Sequence, residues 1–284
     1  MLQHTAVQSA ELQGDRLFIE TKGRGKKTLV FLPGLGGTTR YWAPRVTPLE
    51  NGFHLVLVDL LGFGQSPKPW KKYTVEEHIS ALHRSLEPFA PFTLVGHSLG
   101  AVLALAYATA HPAEVKSMVL MGMPFFSSRR DAYRHYRQGP VRGGWLLTNT
   151  VLAMTACILT RRVFGKLLPY LLRDVPREVA QDLVLHTWRS STSSLWEVIY
   201  RHDQWADMEQ LPPAMGVLCI HGDQDVMAPL PAIEHCALNR ANWGVAVLPG
   251  VDHHPFLRET GKCLDLIRAA AIQSMGFRSG SFDH

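Results

Sequence analysis

The segment Gly96-His97-Ser98-Leu99-Gly100 sets a serine between two glycines, directly after the apolar run Phe92-Thr93-Leu94-Val95 and directly before a helix-like stretch at 101–110. A serine on a strand-to-helix turn projects its hydroxyl from the sheet edge, and glycines on both sides admit the strained backbone and close packing that such a turn needs. The N-terminus of the following helix offers backbone N–H groups and a positive dipole end to a developing oxyanion. The chemistry this serves is nucleophilic attack on an acyl carbonyl by Ser98. The five-residue string alone is weak support; its place between strand and helix makes it specific.

A serine hydroxyl needs a base, and the base needs an orienting acid. Val217-Leu218-Cys219-Ile220 reads as a strand, followed by His221-Gly222-Asp223-Gln224-Asp225. An acid just past that strand end reaches the same sheet edge as Ser98, and both Asp223 and Asp225 qualify. Val245-Ala246-Val247-Leu248 then leads into Pro249-Gly250-Val251-Asp252-His253-His254-Pro255. Serine, aspartate and histidine thus arrive in the chain order of the strand-edge triad. The run Leu29-Val30-Phe31-Leu32 ends in Pro33-Gly34-Leu35-Gly36-Gly37, a loop whose backbone can approach a substrate closely. Its Leu35 N–H and the Leu99 N–H are the candidate oxyanion donors. Thr39 stands where a dinucleotide loop wants glycine, and no Gly-Lys-Ser/Thr ending marks a phosphate loop.

A parallel sheet would bring these strand ends to one edge. Apolar runs at 54–59, 92–95, 117–121, 217–220 and 245–248 suit strands covered on both faces, and helix-like stretches at 75–89, 99–110, 231–239 and 261–274 alternate with them. That alternation predicts an α/β fold with right-handed crossovers. Strand-like segments at 16–21 and 28–32, separated by a Gly/Lys-rich turn, read as an antiparallel hairpin. Between Pro124 and Trp205 the alternation stops, and about 80 residues of helix-like character are too long for a loop. We therefore expect a core of 1–123 and 206–284, with a helical cap, or lid, at 124–205.

With these residues in place, the chain resembles an α/β-hydrolase fold serine hydrolase with a helical cap, of the esterase or lipase kind. Asp59-Leu60-Leu61-Gly62-Phe63-Gly64-Gln65-Ser66 resembles the loop that members carry after the strand before the first long helix. The resemblance implies a mostly parallel, eight-stranded sheet flanked by helices, with its second strand antiparallel and the cap inserted after strand six. It makes Ser98 the nucleophile. It makes Asp225 the acid, three residues after the glycine matched by Gly222, with Asp223 the alternative. His253 becomes the base, two residues before Pro255, with His254 the alternative. Asp252 departs from the usual glycine, and Pro33 stands where many members have histidine. Haloalkane dehalogenases and epoxide hydrolases of this fold carry aspartate at the place of Ser98, so neither activity is expected. Carboxylic ester hydrolysis is the broadest remaining activity, beside C–C bond hydrolysis or lyase, aminopeptidase, amidase and thioesterase chemistry. A non-catalytic ligand receptor is the reading from another class. No cofactor and no metal ion are expected.

The chain has 284 residues, 46% hydrophobic and 19% charged, the composition of an ordered globular enzyme. Its four cysteines form no paired or zinc-type spacing, which suggests reduced thiols and a cytoplasmic setting. The start Met1-Leu2-Gln3-His4-Thr5 lacks the pattern of a secretory leader, and 278–284 read as a frayed end. Trp145 to Leu159 is too short and too interrupted to span a membrane, so a buried or amphipathic helix is expected there. A net charge of +5 without basic–aromatic runs makes nucleic acid an unexpected partner. Within 124–205, twelve arginines and lysines face six acids. A solvated helical surface explains that; a sharper expectation is an anionic or lipidic acyl substrate, met at a membrane surface. Trp145, Leu146, Leu147, Val151, Leu152, Ile158 and Leu159 would then line the acyl pocket.

Overall fold

The computed structural model describes residues 16–141, 143–165, 168–171, 175–238 and 240–272. The expectations for 1–5 and 278–284 lie outside the described residues. Seven strands form one sheet: β1 (Ile19–Lys22), β2 (Lys27–Leu32), β3 (Phe53–Val58), β4 (Phe92–His97), β5 (Val115–Met121), β6 (Gly216–Gly222) and β7 (Trp243–Leu248), in the order β1-β3-β2-β4-β5-β6-β7. Every neighbouring pair is parallel except β1 and β3, where Ile19 lies opposite Val58. The period-two pattern sorts the strands between two core layers: Val30, Leu32, Val56 and Val58 pack on one face, Leu29, Phe31, Leu55 and Leu57 on the other. Burial on both faces is why these strands are continuous apolar runs.

The described residues, which begin at 16, hold seven strands, and the first of these is the antiparallel one. One expectation changes here: the hairpin does not form, because β3 lies between β1 and β2 in the sheet. The turn between them instead crowds against β3's approach: a Cβ on Gly25 would lie 2.2 Å from the Gly52 carbonyl oxygen.

Helices α1 (Val75–Leu86) and α2 (Leu99–Ala110) follow β3 and β4 in the chain. Thr74 caps α1, its Oγ1 accepting from the Glu77 N–H at 3.3 Å. Ten of the twelve residues of α2 are buried, so this helix is apolar all round because it sits inside the molecule. Between β5 and β6 the described chain is helical: α3 (Arg129–Gln138), α4 (Gly144–Leu147), α5 (Thr150–Leu159), α6 (Leu168–Leu171), α7 (Arg177–Asp182), α8 (Trp188–Ser194) and α9 (Gln204–Gln210), with wide π turns at Thr160–Phe164 and Leu195–Tyr200. The expected boundary at 205/206 falls inside α9, which packs on α2. After β6 come α10 (Leu230–Leu238), α11 (Pro255–Arg258) and α12 (Thr260–Ile272).

The apolar stretch at 145–159 is neither one helix nor a buried one. It breaks between α4 and α5, and α5 contains no buried residue, with Val151 63% exposed. No described helix is long and apolar enough to cross a membrane. All four cysteines are free, three of them buried and Cys157 half-buried.

Candidate active site

Ser98 sits between the last residue of β4 and the first of α2, at φ 52° and ψ −117°. It is the one non-glycine residue with positive φ among the described residues. A backbone in that region costs on the order of 1–3 kcal/mol and persists only where its surroundings hold it. Here they do: the Ser98 N–H donates to the Met121 carbonyl at 2.9 Å. A Cβ on Gly100 would lie 2.3 Å from the Leu32 carbonyl oxygen, and one on Gly96 would lie 2.5 Å from the Gly100 oxygen. The two flanking glycines are thus what lets β2, β4 and α2 converge beneath the serine.

The three residues named from the sequence meet at this edge. The Ser98 hydroxyl donates to His253 Nε2 at 2.9 Å, and His253 Nδ1–H donates to Asp225 Oδ2 at 2.8 Å. Asp225 Oδ1 accepts from the Met227 and Ala228 N–H groups at 2.8 and 2.9 Å, which fixes the carboxylate plane. Burial opposes the Asp225 charge, but the His253 hydrogen bond and the Ala228 N–H outweigh it and hold the carboxyl below its usual range. His221 adds a third neighbour: its Nε2–H donates to the Ala228 carbonyl at 2.7 Å and lies 3.4 Å from Asp225 Oδ2.

The two alternatives do other work. Asp223 is exposed and accepts the Gly250 N–H at 2.7 Å, bracing the turn after β7. His254 contacts neither Ser98 nor Asp225 by hydrogen bond; its ring packs 5.1 Å from that of His97 and 6.0 Å from that of Tyr41. Burial, followed by the neighbouring His253, pushes His254 down to about 4. Geometry therefore sets His253, not His254, between the serine and the acid.

His97 itself carries a role that its place in the pentapeptide did not announce. It stacks on Tyr41 at 4.9 Å and 15°, and its Nε2–H donates to the His253 carbonyl at 2.8 Å. One buried side chain thereby ties the serine's own turn to the backbone of the histidine. The signal was a large polar residue beside the serine, which the pattern leaves variable.

The Gly34 loop lies against this edge: a Cβ on Gly34 would come within 3.0 Å of His97 Nδ1 and 3.2 Å of Ser98 Cβ. Gly37 N–H donates to the Gly34 carbonyl at 3.0 Å, closing a turn with Gly36 at φ 78° in its third position, which places Leu35 at the tip. Leu99 opens α2, where the first N–H groups have no acceptor inside the helix. Both leucines line the cavity that Ser98 faces. The loop is anchored from two sides. Asp59, buried and pushed up to about 6 by that burial, accepts the Thr39 and Gln65 N–H groups at 2.7 Å each. From the helical insertion, Asp182 of α7 accepts from Thr38 Oγ1 at 2.5 Å and from Arg40 Nη1 at 2.7 Å.

The cavity measures about 370 Å³ and its far wall is apolar, with Pro124, Leu147, Val179, Leu183, Leu195 and Ile199 from the β5–β6 insertion. Of the seven side chains expected to line an acyl pocket, only Leu147 does so. Val151, Leu152 and Leu159 turn outward, because the break at 148–149 swings α5 away from the cavity.

Buried histidines make stability depend on pH. Burial lowers His78 to about 3, and His186 and His254 to about 4. Such groups contribute stability that is fully present above the unfolded value of about 6.5 and is lost as the pH falls toward the folded values. Asp59, raised to about 6, acts in the opposite sense: its contribution is present at low pH and lost as the pH rises through 6. Three lowered histidines set against one raised carboxyl decide the sign. The melting temperature should fall by several degrees between pH 7 and pH 4.5 in a differential scanning measurement; a flat or rising profile would contradict this balance.

The family model described as alpha/beta hydrolase fold matches residues 27–243. A probable lysophospholipase of Arabidopsis thaliana, BODYGUARD 4, is 26% identical over 268 residues, covering 83% of this chain and 62% of its own length. Another, BODYGUARD 1, is 35% identical over 116 residues, 38% of this chain and 25% of its own. This chain thus spans less than two thirds of the length of either plant relative. Among solved structures, an esterase from Exiguobacterium antarcticum superposes with a TM-score of 0.73 at 19% identity, covering 90% of this chain and 96% of its own; at that identity the likeness speaks for the fold. Because the family match runs from β2 into β7, over more than half of the sequence, this chain belongs to the alpha/beta hydrolase fold family.

Proposed function

We propose that this protein is a serine hydrolase that cleaves carboxylic esters of apolar acyl groups through an acyl-enzyme, with the 124–205 insertion as its cap. The observation that carries this reading is the hydrogen-bonded chain Ser98–His253–Asp225 opening on an apolar cavity. In the first half-reaction His253 Nε2 takes the Ser98 proton as the hydroxyl oxygen attacks the carbonyl carbon. The Leu35 and Leu99 N–H groups stabilise the resulting oxyanion. Its collapse breaks the C–O bond, and His253 returns the proton to the departing alcohol. Water, deprotonated by the same histidine, then releases the acid. Asp225 keeps the imidazole in the required tautomer and stabilises its positive charge.

The apolar wall supports an acyl chain as the group buried on binding. The plant relatives' printed name, probable lysophospholipase, agrees with an ester of that kind. A buried methylene is worth about 0.8 kcal/mol. An octanoate ester should therefore exceed the corresponding acetate in kcat/KM by at least about tenfold, measured across a p-nitrophenyl ester series. Equal rates along the series would remove the cavity from the account of specificity. Cleavage of amides or diketones with no ester turnover would replace the proposed reaction.

A further inference from the structure

A second concavity, of about 440 Å³, lies on the other side of the segment that walls the catalytic cavity. The π turn Leu195–Tyr200 that continues α8 presents Leu195 and Ile199 to the first cavity and Trp196 and Glu197 to the second. Four cations line this second site, Lys72, Arg129, Arg189 and Arg201, against the single carboxylate of Glu197. That carboxylate is already engaged, accepting from Arg201 Nη1 at 2.6 Å. Lys72, Arg129 and Arg189 have no acidic partner among the described residues.

The guanidinium groups are held by aromatic faces instead. Arg189 lies 3.7 Å from the ring centroid of Trp70 and 5.2 Å from that of Trp188, and Arg129 lies 5.7 Å from that of Trp196. Stacking on an indole fixes the plane of a guanidinium while leaving its N–H edge to meet an acceptor. Two donors at this site are buried with no acceptor: Arg189 Nε and Trp196 Nε1. Leaving a donor unpaired away from water costs on the order of 1–3 kcal/mol. The concavity is thus short of negative charge, which a phosphate supplies together with acceptor atoms. Its oxygens only accept, its charge suits several cations, and its geometry matches the guanidinium fork.

We propose that this concavity binds the phosphate group of a phosphate ester. It is separate from the serine site, and neither its residues nor its test depends on the catalytic assignment. Two sources share this chemistry, a small soluble phosphate ester and a phospholipid headgroup. The lipid source has support next door: Thr150 lines the concavity, and the adjoining Val151 and Leu152 are exposed.

Intrinsic tryptophan fluorescence of the full chain reads the site directly. The titrants are inorganic phosphate, glycerol 3-phosphate, and phosphatidylcholine vesicles with and without phosphatidic acid, each at constant ionic strength against a chloride control. Saturable binding of glycerol 3-phosphate, with inorganic phosphate competing, assigns a soluble ester. Binding only of vesicles that contain phosphatidic acid assigns a headgroup. In either case Arg129→Gln combined with Arg189→Gln should weaken binding at least tenfold, while far-UV circular dichroism and the melting temperature report that the variant is folded. Single Lys72→Gln, away from the stacked rings, should weaken it severalfold and keeps the test decisive if the double variant fails to fold. The proposal is overturned if no titrant gives a signal beyond the chloride control, or if the folded variants bind as well as the wild type.

Discussion

Replacing Ser98 by alanine should lower the turnover of any accepted ester by about 10⁴-fold or more, and should abolish labelling by a fluorophosphonate probe, with the fold intact. The expected size follows from what the hydroxyl does. In the proposed reaction its oxygen forms the acyl bond, and no neighbouring side chain can replace it: of the groups around it, His97 is bonded to the His253 carbonyl and His254 is turned toward Tyr41. Alanine also keeps the Cβ, so the packing of Gly34 against it is unchanged. The backbone at φ 52° is as unfavourable for alanine as for serine, so stability should move little. Far-UV circular dichroism and a melting curve check the fold, and mass spectrometry locates the probe adduct. A variant that hydrolysed the ester at near the wild-type rate would take Ser98 out of the mechanism. A wild-type enzyme that no probe labels would show its hydroxyl to be unactivated.

How much of the fold and of the site is legible in the sequence depends on how local each feature is. The strand, turn and helix around Ser98 are local: the run at 92–95, two glycines and a good helix former produced β4 and α2, and α2 spans the residues predicted for it. Strand pairing is not local. A glycine- and lysine-rich turn at 22–27 has the composition of a hairpin, but nothing in it says that β3, more than 20 residues later, will insert between the two strands. Apolarity misled at 145–159 for a similar reason. The composition asked for burial, while the turn around Asn149, whose side chain caps α5 through Val151 and Leu152, sends that helix outward. His253 and His254 differ only in which way consecutive side chains point, and that is set by β7, the Gly250 turn and the start of α11 together. The link from His97 to the His253 carbonyl spans 156 residues and left no trace in spacing.

Asp225→Asn should be nearly as damaging as loss of the serine, although it removes no atom from the contact with His253. The reason lies in the other oxygen. Two backbone donors, Met227 N–H and Ala228 N–H, point at Asp225 Oδ1 at 2.8 and 2.9 Å. In an asparagine those donors compel the amide oxygen to take the Oδ1 place, because an NH₂ group there would face two N–H groups with nothing to accept. The amide nitrogen is then left facing His253 Nδ1, where it donates. A neutral imidazole that accepts at Nδ1 carries its proton on Nε2, and an Nε2–H cannot take the proton of Ser98. Turnover should fall on the order of 10³- to 10⁴-fold, with KM little changed, because Asp225 is not among the residues lining the cavity. Fluorophosphonate labelling should slow in parallel, since the probe also needs an activated hydroxyl. Asp223→Asn is the matched control: its Oδ1 accepts one exposed N–H, that of Gly250, and the amide oxygen can do the same, so activity should stay within about threefold. If instead Asp223→Asn were the crippling change and Asp225→Asn the silent one, the acid would have been assigned to the wrong carboxylate. If His254→Gln destroyed activity while His253→Gln spared it, the base would be the other histidine, and the hydrogen-bonded chain from Ser98 to Asp225 would not be the catalytic one.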